Sequence, residues 1–466
     1  MYHLGVGVAD ITPEVGTALS GFIARENRPS THVDSGLQVR ALAIKQGTET
    51  YFLFNYDLIG LGTEAAERIL ATLERWLEAG FSRERCLLTA THTHSGPPTG
   101  LLVGERPLDP EYSELLTGRS LRAARAALES LQPVRMLSAE IPLPGLTYNR
   151  RALLMDGRVS IMPTPDLPVV QRGPLDERMT VLAWRDQEGK NVAALAHYAC
   201  HGVAVLSQGI GSDIPGALAE AIGRELEVPC LFLQGAAGDV NPTTVTAGRA
   251  EMLAWVEQAI QPLSSLNELL QPEPLDDFQA VEGWLGLSYS GLAGLEEAEM
   301  EVRNLQRIAD GDVTSPDLQE ALRSFKNTLN MPPDEALDAK KTRFVALALA
   351  ETAQKTLDAA RAGGDLPRQK LHMTAWRLGD FVLLFLACEA LTATGLRLRA
   401  LCPEMRILPV TYLAPLLGYI PDREAVRLGG YEVKDGWRFY GHPAPFAADS
   451  EERILQHADK LLAELI

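Results

Sequence analysis

The longest apolar run in these 466 residues, Phe381 to Cys388, holds eight residues and stops on a carboxylate, Glu389. Eight residues are far too few to cross a bilayer, which takes about 20 in a helix. They suit a strand buried on both faces, and such a strand delivers Glu389 to its end. A carboxylate there is unfavourable unless it is paired, bound to a metal or used to cap a helix. Shorter runs of the same kind at 86–90 and 229–233 alternate with segments of helical spacing.

That alternation runs along the chain. Residues 4–11 read as a strand, and 39–44 with 51–56 as a hairpin about Gly47-Thr48. Helical spacing follows over 63–77 and 112–131, then a strand over 134–139 and a second strand pair at 179–184 and 192–197. A helix opens at Pro215, with proline in its first turn. Between about 292 and 362 the pattern turns to helix after helix. One stripe there is Leu295, Ala298, Val302, Leu305 and Ile308, and Ser315-Pro316 reads as the next helix start. Strands return at 371–377, 381–387 and 407–410, with a helix over 390–400 and another closing the chain. No internal repeat and no linker is visible. The expectation is a single α/β domain of mixed β-sheets packed with helices, carrying a helical subdomain at about 292–362.

Composition excludes some classes of function. A formal net charge of -18 is the wrong sign for meeting phosphates or an anionic membrane. The five cysteines, an odd number without CxxC spacing, indicate neither a disulfide framework nor a zinc knuckle. The N-terminus lacks the basic and apolar regions of a secretory signal, so a cytoplasmic protein is expected.

Several segments carry residues suited to chemistry. Thr91-His92-Thr93-His94-Ser95-Gly96-Pro97 follows a buried run, and in an extended strand His92 and His94 would share a face. Such a pair starts a metal or acid–base site, and is as often a surface feature or a satisfied core pair. His197 and His201 are spaced i,i+4, but the surrounding run reads as a strand, which leaves one of them as a ligand. Gln234-Gly235-Ala236-Ala237-Gly238-Asp239-Val240-Asn241-Pro242 is a glycine-rich loop whose N–H groups could line a substrate, or a plain turn. Tyr419 and Tyr431 stand among glycines, as loop anchors do. Neither HExxH nor GxSxG occurs.

Together these segments resemble the neutral (non-lysosomal) ceramidase family. The motifs match in order: Gly7-Val8-Ala9-Asp10-Ile11-Thr12-Pro13, Thr91 to Pro97, Asn149-Arg150, Cys200-His201 with Ser212-Asp213-Ile214-Pro215-Gly216, and Gly238-Asp239-Val240 with Pro242. Glu389, Tyr419 and Tyr431 complete the series. The resemblance covers about residues 4 to 460, the catalytic domain of that family. It implies a zinc-dependent hydrolase that cleaves an N-acyl amide, with His92, His201, Glu389 and Tyr419 as ligands. It also implies that His94, Arg150 and Tyr431 face the substrate. From the chemistry of such a site, Tyr431 or Arg150 would help zinc stabilise the oxyanion and His94 would pass a proton to the leaving amine. Gly238, Asp239 and Asn241 would contact the substrate. Asp57 and Asp213 are the carboxylates expected to orient the histidines.

Three departures bear on specificity. Asn241 stands where the family loop has serine, and Thr243 follows Pro242. Ala387-Cys388 precede the glutamate in place of Pro-Gly. The secreted members carry a signal and a C-terminal immunoglobulin-like domain that this sequence does not show. A smaller or more soluble N-acyl compound than ceramide is therefore among the expected substrates. The altered loop also suits a non-catalytic, metal-binding relative. A serine or cysteine hydrolase using Ser95 or Cys388 lacks a base and its orienting partner in the sequence.

Overall fold

The computed structural model describes residues 2–77, 81–161, 168–274, 278–329, 331, 335–364 and 366–465. Three sheets share one topology. In each, a first strand pairs antiparallel with the second, the second and third form a hairpin, and a helix crosses to a fourth strand parallel to the third. The first sheet uses His3–Asp10, Gln38–Gln46, Glu49–Tyr56, helix Thr63–Leu77 and Cys86–Ala90. The second uses Arg135–Pro142, Arg178–Arg185, Asn191–Tyr198, helix Asp213–Leu226 and Cys230–Gln234. The third uses Gln279–Leu287, Gln369–Leu378, Phe381–Leu386, helix Thr392–Arg399 and Arg406–Val410. Parallel neighbours need a crossover, and a helix supplies it each time.

The sequence showed no repeat because what repeats is connectivity, with each copy carrying its own insertion. The insertion falls in the same slot, between the first and second strands. It is residues 11–37 in the first unit, 143–177 in the second and 288–368 in the third. The last contains the expected helical segment, with helices Leu295–Ala309, Gln319–Thr328 and Ala339–Arg361 around their own core of Leu305, Ile308, Phe325, Val345 and Leu349. Residues 330 and 332–334 of that segment lie outside the described ones. Leu295, placed on the apolar stripe, is exposed, and the Ser315 side chain makes no capping bond.

Strands buried on both faces explain the apolar runs. Leu42, Leu53 and Leu87 of the first sheet meet Leu182, Leu195 and Leu231 of the second and Phe381–Leu386 of the third in one central core. The opposite faces pack on helices: Phe52, Phe54 and Leu88 on Ile69 and Leu116, and Val181 and Phe232 on Leu218, Ile222 and Trp255. Each buried leucine or phenylalanine contributes about 1.5–3 kcal/mol. The strand Gln279–Leu287 escaped sequence reading because it is half-exposed and carries Gly283 and Gly286. No helix among the described residues is long and apolar enough to cross a membrane.

Candidate metal centre

In all three sheets the two parallel strands end on the same side, and the candidate residues follow those ends. His92 follows the strand ending at Ala90, His201 the strand ending at Tyr198, and Glu389 the strand ending at Leu386. Ligand sites outside the carboxyl ends of parallel strands are common in α/β sheets, where crossovers open a crevice. The ends are stitched together by hydrogen bonds. Gln234 Nε2 donates to the carbonyls of Thr91 (3.0 Å) and Cys200 (2.6 Å), and its Oε1 accepts from the Cys200 N–H at 2.9 Å. Ala90 N–H donates to the Tyr412 carbonyl (3.2 Å), and Thr411 N–H to the Gln234 carbonyl (2.9 Å).

His92 and His94 do converge, but not as alternate residues of an extended strand. The strand stops at Ala90, and His92 takes φ +65° in the left-handed region. His92 Nε2 then lies 3.1 Å from His201 Nε2 and 3.2 Å from His94 Nε2. Glu389 Oε2 lies 3.4 Å from His92 Nε2 and 3.7 Å from His201 Nε2. Glu389 sits on a short strand paired with Tyr419, and its N–H donates to the Gly418 carbonyl, so it caps no helix.

The tautomers are set by backbone carbonyls. His92 Nδ1–H donates to Ile59 O at 2.6 Å, and His201 Nδ1–H to Ala237 O at 2.7 Å. A carbonyl only accepts, so both Nε2 atoms present lone pairs. Burial pushes His92 down to about 3 and holds His94 and His201 well below their ordinary value, so all three rings are neutral. Two lone pairs facing each other at 3.1 Å repel unless a cation lies between them. Tetrahedral ligands at the usual metal–nitrogen distance stand about 3.3 Å apart. The spacings of 3.1, 3.4 and 3.7 Å fit that value, and the histidine cluster can hold a metal ion.

Arg150 and the tyrosines stand beside the cluster. Arg150 Nη2 donates to the Tyr419 hydroxyl at 3.0 Å and Nε to Glu432 at 2.9 Å, and its guanidinium lies 5.6 Å and 5.8 Å from the Tyr419 and Tyr431 rings. Burial raises Glu389 to about 7, opposed by hydrogen bonds from Tyr440 and Tyr412 and by the charge of Arg150. On the other side Arg25, fully buried, donates to the carbonyls of His94, Val205 and Ser207, and Phe22 meets the His94 ring edge-on at 5.0 Å.

Three of the expected carboxylates have partners of their own within the chain. Asp57 pairs with Arg40 at 3.0 Å and accepts from the Gln38 N–H. Asp213 accepts from the N–H groups of Ala204, Val205 and Ile214. Backbone carbonyls orient the histidines, so neither carboxylate is needed for that. Asp239 accepts from Thr392 N–H (2.8 Å), Thr392 Oγ1 (2.7 Å) and Asn149 Nδ2 (2.6 Å), and so braces the segments that carry them. Gly238 allows close approach, since a Cβ there would meet the Glu389 and Ala390 carbonyls at 3.1 and 2.9 Å. Asn241 is buried, one residue past Val240, whose carbonyl accepts from His201 N–H. His197 turns away, its Nε2 donating to the Pro409 carbonyl at 2.8 Å. Sequence reasoning missed Tyr412, Tyr440 and the bracing role of Gln234. The position of Tyr412, two residues past the fourth strand of its sheet as His92 is in the first, is the signal that could have found it.

The family model for the neutral/alkaline non-lysosomal ceramidase, N-terminal region, matches residues 2–248. Over 258 residues the chain is 25% identical to a neutral ceramidase of Pseudomonas aeruginosa, a match covering 52% of this chain and 37% of that protein. The matched part is thus little more than a third of that relative's length. The crystal structure of neutral ceramidase from Pseudomonas aeruginosa superposes with TM-score 0.70 at 18% identity, covering 100% of this chain and 74% of the other. A structure described as ceramidase complexed with C2 gives 0.69 at 16% identity, covering 100% and 75%. Both likenesses are of fold.

Proposed function

This chain belongs to the neutral/alkaline non-lysosomal ceramidase family, and from that membership and the geometry of its site we propose that it is a zinc-dependent hydrolase of N-acyl amides. The observation that carries the reading is the pair of Nε2 lone pairs of His92 and His201, 3.1 Å apart with Glu389 Oε2 beside them. His92, His201, Glu389 and Tyr419 form an N/N/O/O set suited to zinc. When bound, zinc supplies Lewis-acid polarisation of the amide carbonyl and acidifies water enough to act as a nucleophile near neutral pH.

The chain's own residues do the rest. His94 Nε2 stands 3.2 Å from His92 Nε2, beside the metal position, where its imidazole can take a proton and return it to the leaving amine. Arg150, held by Glu432 beside two tyrosine rings, offers a fixed positive charge to the developing oxyanion, and Tyr431 offers its hydroxyl. Burial of the cluster keeps bulk water from screening those charges. Asn241 Oδ1 is buried without a hydrogen-bond partner and would accept from a polar group of the substrate. The substrate is ceramide or a smaller N-acyl compound.

Metal analysis combined with a hydrolysis screen of N-acyl amides, with and without chelator, tests the reading. Stoichiometric zinc and chelator-sensitive turnover, both lost in His92→Ala, are expected. Turnover without bound metal would overturn it, and zinc binding without turnover would make the protein a binder. A His94→Ala variant with full activity would remove the proton-transfer role.

A further inference from the structure

Glu389 reaches the cluster under the control of two phenols that the family motifs do not include. Tyr412 Oη donates to Glu389 Oε2 at 3.0 Å, and Tyr440 Oη donates to Oε1. Both carboxylate oxygens are therefore engaged, with Glu389 fully buried. The two phenols come from different parts of the chain. Tyr412 follows the fourth strand of the third sheet, and its N–H donates to the carbonyl of Cys388, the residue before Glu389. Tyr440 lies in the C-terminal loops, and Gly418 admits its ring, since a Cβ there would stand 2.4 Å from it.

Tyr412 also holds a histidine. Its ring lies over that of His92, with centroids 4.2 Å apart and planes at 35°. It does so at φ +64°, facing His92 at φ +65°. A bulky side chain in the left-handed region is an outlier that glycine would relieve, and such outliers cluster at functional sites. The strained backbone is what aims the ring at His92 and the hydroxyl at Glu389.

We propose that Tyr412 and Tyr440 are positioning residues that fix Glu389 as a one-oxygen ligand for a divalent metal. Tyr440 takes one lone pair of Oε1, and Oε2 is the oxygen nearest both histidines. Tyr412 takes one lone pair of Oε2 and leaves another towards His92 Nε2 and His201 Nε2, 3.4 and 3.7 Å away. Outer partners of this kind orient ligands, and their loss typically weakens metal affinity about 10- to 100-fold. The proposal rests on the cluster being a metal site, and its test separates the two ideas.

Zinc affinity is measured by competition with a chromogenic chelator for the parent, His92→Ala, Tyr412→Phe and Tyr440→Phe. The same proteins are loaded with cobalt(II), whose visible spectrum reports ligand number. Each phenylalanine variant keeps its ring and is expected to bind zinc about 10- to 100-fold more weakly. Its cobalt spectrum is expected to move towards higher coordination as Glu389 turns to offer both oxygens. A role confined to packing would lower the melting temperature of the metal-free protein and leave affinity and spectrum unchanged, which overturns the proposal. A parent that binds no metal overturns the metal reading itself. Should Tyr412→Phe fail to fold, Tyr440→Phe carries the test.

Discussion

Gln234 shows how much one buried side chain can hold. It satisfies the Thr91 carbonyl and both backbone groups of Cys200, tying the His92 segment to the His201 segment. Gln234→Leu keeps most of the volume and orphans all three groups. The expected loss is about 2–5 kcal/mol of stability, read by denaturant unfolding, with zinc bound more weakly. An unchanged midpoint would show that the brace is dispensable. His197 gives a pH dependence. Burial, helped by the charge of Arg399, pushes it down to about 4, whereas an imidazole in the unfolded chain titrates near 6.5. Between those values the unfolded chain binds more protons. The stabilisation is complete above about pH 6.5 and is lost as pH falls towards 4. Melting temperatures of metal-depleted protein are expected to fall more steeply with acidification for the parent than for His197→Gln. Equal slopes would sink this assignment.

At the scale of elements, the candidate ligands follow the strand ends, and the C-terminal segments are held over them by the helical insertion. The long helix Ala339–Arg361 holds the segment that bears Tyr440. Thr352 Oγ1 donates to the Arg438 carbonyl at 2.7 Å, and Thr356 Oγ1 to the Pro443 carbonyl at 2.8 Å. Replacing both threonines with valine removes the donors and keeps the shape. Faster amide exchange is expected over residues 436–443, with the sheets unchanged, and an unaltered exchange pattern would show that the helix does not hold the loop. The hairpins, the crossover helices and the helical insertion were legible in the sequence, because each has a strong period of two or of 3.6. The helix from Thr63 to Leu77 fell where its spacing placed it. The strand Gln279–Leu287 was not legible, because half-exposure and two glycines erase the period.

Across the whole molecule, one central core joins the three sheets, so stability and site geometry are coupled. Phe385 is fully buried in the central strand Phe381–Leu386, which leads into Glu389. Phe385→Ala is expected to lose about 3–5 kcal/mol and to weaken metal retention in the same variant. Loss of stability with undiminished zinc affinity would show the strand ends to be independent of the core. The repeated topology explains why such distant residues meet. Each parallel pair ends on the same side, and the packing of the sheets brings those ends together.

The sequence by itself determined the periodic elements, the family and the residue types that converge, because period and motif are local. It also placed His92, His201, Glu389, Tyr419, Arg150 and Tyr431 in their motifs. Only the tertiary structure decided which groups touch. Backbone carbonyls, and not Asp57 or Asp213, orient the histidines, since carbonyls past the strand ends reach the Nδ1 atoms first. Asp239 braces two segments, because Thr392 and Asn149 both donate to its carboxylate. His92 faces the cluster through a left-handed backbone that no strand pattern encodes. Tyr412 and Tyr440 reach Glu389 across 23 and 51 residues of chain, and contacts at that separation are set by packing rather than by spacing.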